Sequence, residues 1–297
     1  MLLSGGKPMN ELLLLSALNG LVIGSFYALM ALGLSLIINL TKVINFAHGG
    51  FLAVSAYLAY SMSPYVGFWG ALLIAPILTA VVGLMIESVA IRPLYGRDPL
   101  YSLLLTFGLA YVLQDAAQFI WGAQSLPFRI PQWLAAPVSN SYFFVTGYRV
   151  LMIVVMVVAV GILFSTLYHT RLGIRIRAGT LDLDMVAASG VNIRILRNLN
   201  FGIGVYLAGV AGVLAAGVIG LQPAMGESII MPSFVAIIVG GIGSLIGTVI
   251  GGLLIGVAAG IVGMFFPSAA ELVIYLMMVI VLLFRPRGLF GQKEILL

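Results

Sequence analysis

The chain has 297 residues, of which 62% are hydrophobic and only 8% charged, with no cysteine and a formal net charge of +5. That balance, together with a mean hydropathy of +1.19, exceeds what a soluble core can use and marks a polytopic membrane protein. It excludes disulfides, thiolate zinc sites and iron–sulfur clusters and leaves too little polar surface for nucleic-acid binding, so the basic excess is expected to report topology and contact with anionic lipid.

In chain order, uncharged apolar runs predict spans near 12–38, 44–62, 66–90, 100–121, 148–168, 199–221, 228–244, 245–264 and 268–284. Each is close to the ~20 residues that about 30 Å of hydrocarbon requires. This gives nine spans, or eight if one of the two shortest, 228–244 and 268–284, is re-entrant. The first run lacks a small-residue cleavage site behind a short core and is read as a retained span. The expected fold is therefore an all-α polytopic membrane protein, a single transmembrane domain over 1–297. SFVAIIVGG at 233–241 echoes the small-residue start of FAHGGFLAVSAY, which suggests two related halves of inverted topology.

Charge concentrates in RLGIRIRAGTLDLDMVAASGVNIRILR, residues 171–197, with seven charged residues in 27 positions. Placing this island inside also places Lys42, Arg92, Arg97, Arg285, Arg287 and Lys293 inside, eleven basic residues against Lys7, Arg129 and Arg149 outside. Cytoplasmic loops retain positive charge, so the N-terminus should be external, the C-terminus cytoplasmic and 169–198 a cytoplasmic loop. Within the island Thr180 is an expected N-cap, Asp182 and Asp184 fall in the first turn, and Gly190 ends a helix of about nine residues. Leu181, Met185 and Ala188 share one face at i, i+4, i+7. So short a helix needs a cover, either the chain's own membrane domain or a partner protein.

Polar side chains inside spans mark candidate sites, since they seldom face lipid. In INFAHGG, 44–50, Asn45 and His48 begin a span in which Gly49 and Gly50 lower helix propensity, so a late-starting helix is expected there. Its free N–H groups suit an anionic group; the alternative is that Asn45 caps the helix and His48 sits at the cytoplasmic interface. In QDAAQ, 114–118, Gln114, Asp115 and Gln118 either line a pathway or reach interfacial water, Arg149 or Arg129. Glu87 reads as an anchor near Arg92. Gly243, Gly247 and Gly251, then Gly252, Gly256 and Gly260, recur every four residues and require close helix packing, within the chain or against a second subunit.

The sequence has no GxxxxGK[ST] phosphate loop, no HExxH and no GxSxG, so no ATPase or hydrolase site of its own, and no metal or cofactor is expected. A secondary carrier usually shows more intramembrane charge than Asp115 offers. A purely structural membrane protein would not need the polar clusters.

Five stretches carry a resemblance: INFAHGGFLAVSAY (44–57), IRPLYGRDPLYSLLLTFGL (91–109), RLGIRIRAGTLDLDMVAASGVN (171–192), FVAIIVGGIGSLIGTVIGG (234–252) and FRPRGLFG (284–291). In this order they resemble the permease of bacterial branched-chain amino acid ABC importers. The resemblance implies a multi-pass inner-membrane subunit that moves branched-chain or related amino acids by alternating access. It implies a second permease subunit in a heterodimer, two ATP-binding subunits that hydrolyse ATP, and an external substrate-binding protein. It also implies that DMVAASG, 184–190, acts like the EAA loop of importers, with Asp184, Ala187, Ala188 and Gly190 meeting a cleft of the ATPase, although the EAA lettering is only loosely kept. Many members carry an acid where Gly50 stands, and a role resting on that acid is absent here. Permeases for urea or short amides share these motifs and stand as the alternative, beside a self-contained secondary carrier.

Cysteines introduced singly at Ser139 and Ser189 should react with an impermeant thiol reagent from outside and only after permeabilisation, respectively. The opposite labelling would invert the topology.

Overall fold

The structure, a computed structural model, describes residues 9–140 and 143–291; Lys7 and Lys293 lie outside the described residues. It is an all-α bundle: α1 (Met9–Thr41), α2 (Ala47–Ile86), α3 (Pro99–Trp121), α4 (Gln132–Ala135), α5 (Gly147–His169), α6 (Arg171–Leu181), α7 (Leu183–Ala188), α8 (Ile193–Ile219), α9 (Met225–Gly240), α10 (Leu245–Phe265) and α11 (Ala270–Phe284). A small antiparallel hairpin, β1 (Pro137–Asn140) with β2 (Phe143–Thr146), lies between α4 and α5. Among the described residues seven helices are long and apolar enough to cross a membrane.

The expected spans 44–62 and 66–90 are the two limbs of α2. Forty straight helical residues would reach about 60 Å, twice the hydrocarbon thickness. The backbone instead leaves the helix at Gly67 (φ 71°, ψ 175°), a conformation that favours glycine. The limbs then fold back on each other: Ser55 and Pro76, 21 positions apart, both abut Gly209 of α8. The expected span 228–244 is α9, only 16 residues long, too short for the full hydrocarbon width.

Helices α1 and α8 form the middle of the bundle, with long buried runs at 28–37 and 207–216. Lipid would solvate apolar side chains as well as neighbouring helices do, so close contact is what holds such elements together. Here it runs through glycine. A Cβ at Gly256 would strike the backbone of Gly24 and Gly20, one at Gly252 the backbone of Ala28, and one at Gly260 the backbone of Gly20. These pairings make α10 and α1 antiparallel neighbours. Gly247 and Gly251 lie on the other side of α10, against Gly240 and Ala236 of α9. The stripes thus pack inside the chain, and one expected member drops out. Gly243 is a turn glycine (φ 94°) with nothing within 4 Å of a Cβ, so it serves the reversal between α9 and α10 and does not pack helices.

The charged segment 171–197 and the ends of α1, α2 and α9 share one face of the bundle, the basic face: Gly179 meets Leu40, Arg92 reaches Asn198, and Gly241 lies against Arg287 and Gly288. On this face a π-turn, Glu87–Ile91, ends the second limb of α2. The N–H of Arg92 donates to the carbonyl of Glu87, which stacks the two residues one turn apart. The fully buried Glu87 carboxylate accepts from Arg92 (2.5 Å) and from the Tyr95 hydroxyl (2.9 Å), while Arg92 also donates to Asn198 Oδ1 (2.7 Å) at the start of α8. Arg197 lies 4.8 Å over the Tyr95 ring, a cation–π contact. Burial and the Glu87 carboxylate push the Tyr95 phenol up, so it stays a donor.

These contacts set the expected cost of substitution. Gly256→Leu should destabilise the protein by about 1–3 kcal/mol or more through overpacking, whereas Gly161→Leu, where a Cβ meets nothing within 4 Å, should be near neutral; thermal unfolding in detergent compares them. Glu87→Ala should cost roughly 2 kcal/mol, less than the 3–5 of a fully buried pair because Arg92 keeps 19% exposure, and Glu87→Gln should cost less than Glu87→Ala in the same assay.

Candidate functional site

Helix α1 ends at Thr41, Lys42 takes a left-handed turn (φ 58°), and α2 starts only at Ala47. The chain has by then turned back into the bundle. The His48 Nε2 lies 3.1 Å from where a Cβ of Gly33 would stand, Gly33 packs on Gly204, and Leu52 packs on Gly212. Gly204 and Gly212 both belong to the uncharged stretch 198–219 of α8, so α2 begins well inside the hydrocarbon. Helix α9 begins at the same depth, because Gly226 is pressed backbone to backbone against Gly49. A side chain at either glycine would pry the two helix starts apart.

Beside this contact opens a narrow groove. The first limb of α2 supplies Phe46, Gly49, Gly50 and Ala53, α3 supplies Phe107, Ala110, Tyr111 and Gln114, and the start of α9 supplies Gly226, Glu227, Ile230 and Met231. The α3 residues fall at helical spacing on one face. Phe46 stands against Phe234 (centroids 4.9 Å) and edge-on to Phe107 (6.0 Å), and Phe107 against Tyr111 (5.1 Å), so the wall is aromatic. Its polar groups are Gln114, the Tyr111 hydroxyl and the exposed Glu227 carboxylate.

The expected pathway residues divide. Gln114 lines the groove. Asp115, the next residue round α3, and Gln118, one turn further on, are exposed nearer the far end of the helix. Asn45 and His48 do not line the groove; both are fully buried, His48 towards α1, and neither side chain has a hydrogen-bond partner among the described residues. The Met30 backbone flanks the His48 ring outside hydrogen-bond geometry. Asn45 makes no capping bond, since the N-cap of α2 is Phe46 without a side-chain contact, and His48 lies too deep for an interface. Elsewhere along α1, Ser35 meets Asn39 and Thr248 of α10 (3.4 Å each), and Asn200 of α8 donates to the Leu36 carbonyl (2.8 Å). Glu227 is the residue that sequence reasoning missed. Its signal was present, for Glu227 and Glu271 are the only charges between Arg197 and Arg285.

The island folds as two helices. Thr170 caps α6 (3.1 Å to the Gly173 N–H), and Arg177 lies 4.6 Å over the Tyr168 ring. Thr180 is not the N-cap: it sits inside α6 with its hydroxyl on the Arg177 carbonyl. Asp182 is the cap, extended at φ −149° and accepting from the Met185 N–H at 2.9 Å. Asp184 lies in the first turn of α7, where the helix dipole favours an acid. Gly190 follows in the left-handed region (φ 82°), and Asn192 caps α8. Within α7 only Val186 is buried; Met185 is 68% exposed, with Ala187 and Ala188 exposed beside it, while Leu181, 84% exposed, ends α6, so the expected nine-residue helix is six residues long and Leu181 does not share it.

Residues 16–282 match the family described as the branched-chain amino acid transport system / permease component. The chain is 33% identical over 294 residues to the high-affinity branched-chain amino acid transport system permease protein BraD of Pseudomonas aeruginosa, covering 93% of this chain and 95% of that one. It is 30% identical over 296 residues to the corresponding permease protein LivH of Escherichia coli K12, with the same coverage. Among solved structures, PsaBC from Streptococcus pneumoniae in complex with Fab overlaps 90% of this chain and 89% of that one at 14% identity and a TM-score of 0.45, too loose a likeness to bear on the site. The chain belongs to the permease component family of branched-chain amino acid transport systems.

Proposed function

We propose that this chain is the membrane permease subunit of an ABC importer for branched-chain or related amino acids in a bacterial cytoplasmic membrane. The basic face is cytoplasmic on the charge asymmetry, which leaves the N-terminus outside and the C-terminus inside. ATP hydrolysis belongs to two partner ATP-binding subunits, substrate delivery to an external binding protein, and a second permease subunit completes the pathway by covering the groove between α2, α3 and α9. The 1–297 chain then acts as one transmembrane domain whose cytoplasmic coupling element lies within 169–198.

The observation that carries this reading is α7. Six helical residues do not hold alone in water, yet α7 turns Met185, Ala187 and Ala188 away from the bundle, beside the exposed Leu181 that ends α6. An apolar face held outside the membrane and left uncovered by its own chain suits a partner's cleft better than a lid. Closure of the ATPase subunits would move α7 as a rigid body, and α8, joined to it by the short Gly190–Asn192 link, would move with it.

Ala188→Glu should place a bulky charge on this face without disturbing the spans, and Gly190→Pro should distort the turn by forcing φ near −65° where the chain has 82°. Both proteins should insert normally, while co-purification of the ATPase subunits and substrate-stimulated ATP hydrolysis fall at least about tenfold, the scale on which disrupting a desolvated interface residue weakens binding. Unchanged association and stimulation in Ala188→Glu would make the island a lid over this chain's own helices.

A further inference from the structure

Among the described residues the groove contains one formal charge, and its depth makes that charge informative. Glu227 follows Gly226, which touches Gly49 inside the hydrocarbon, yet its side chain is exposed on this chain. A carboxylate facing lipid at that depth is expensive, so such groups face a partner, water or a solute pathway. Around it stand the Gln114 amide and the Tyr111 hydroxyl, and an apolar wall of Phe46, Phe107, Ile230 and Met231. Among the described residues no basic side chain lines the groove.

One carboxylate beside neutral donors and an aromatic and aliphatic wall complements a small cation with a branched apolar side chain. The starts of α2 and α9 meet at the same place, and their partial positive ends favour a negative group on the same solute. A zwitterion with an aliphatic side chain meets all three demands; a neutral amide leaves Glu227 without a counter-charge.

We propose that Glu227 receives the ammonium group of a branched-chain amino acid in transit through the groove, making it a specificity-determining residue of the permease. The assignment rests on the proposed importer function. The carboxylate accepts charge-assisted hydrogen bonds from the ammonium as water is shed, while the apolar wall takes the side chain.

The test uses the complete complex in proteoliposomes, with leucine presented by its binding protein. Glu227→Gln should lower the maximal uptake rate about ten- to a hundred-fold, the weight of a hydrogen bond to a charged group. The half-saturating concentration, set by the external protein, and the co-purification of the ATPase subunits should not change. Glu227→Asp should recover part of the rate. Glu227→Cys should react with a water-soluble cationic thiol reagent, and more slowly while leucine-loaded binding protein is turning over. Full-rate uptake by Glu227→Gln in a complex whose wild type imports leucine would overturn this assignment alone. Loss of subunit assembly in both Glu227→Gln and Glu227→Asp would overturn it in favour of a contact between subunits. A wild-type complex that moves no amino acid would overturn the importer function, and this assignment with it.

Discussion

Direct contact between helix backbones governs this structure. In a bilayer an apolar side chain gains little by moving from lipid to protein, so helices associate where small residues let their main chains approach. Gly20, Gly24, Gly252, Gly256 and Gly260 do this between α1 and α10, and Gly33 with Gly204 does it between α1 and α8. The same device at Gly49 and Gly226 has a different effect. It brings together two helices that both start inside the bilayer, and the groove lies along their shared edge. Backbone that begins or breaks at membrane depth is tolerated only where protein or a cavity covers it, so the packing that holds the bundle also locates its polar opening.

The groove and the island lie apart, and the clamp at the basic face connects the elements that carry them. Helix α8 leaves the island through Arg197 and Asn198, which hold Tyr95 and Arg92 at the turn into α3. Helix α3 then carries Tyr111 and Gln114 to the groove. On the proposed function, a displacement of α7 passes through charge-assisted bonds, which are directional and short, before it reaches the substrate path.

Much of the fold was legible because long uncharged runs have few alternatives: each expected span corresponds to a helix or to a limb of one. What failed was local choice between equivalent residues. Thr180 and Asp182 are both good cap residues two positions apart, and only the extended backbone at Asp182 distinguishes them. Gly243 continues the four-residue spacing but falls in the turn before α10. The candidate groove was legible in part. Gln114, which lines it, stands out as a polar residue within an apolar helix. Asn45 and His48 stood out equally, but α2 is apolar on all sides, so periodicity could not say which of its faces meets α1 and which the groove. Glu227 was hidden because it falls with Pro223 and Gly226 in the gap between the expected spans 199–221 and 228–244, whereas the chain re-enters the bundle there.

The π-turn at Glu87–Ile91 bears on how much length variation this fold accepts. A π-turn is an α-helix that has taken in one additional residue and closed the ring by an i→i+5 bond. A chain with one residue fewer between Glu87 and Arg92 would set acid and arginine four apart on an ordinary helix, where such a pair also meets. The junction therefore absorbs an insertion locally and leaves the phase of α3 intact. Single-residue gaps between related sequences at this point should carry no functional meaning, whereas a gap on either side, within the second limb of α2 or in α3, would rotate side chains about 100° away from their partners.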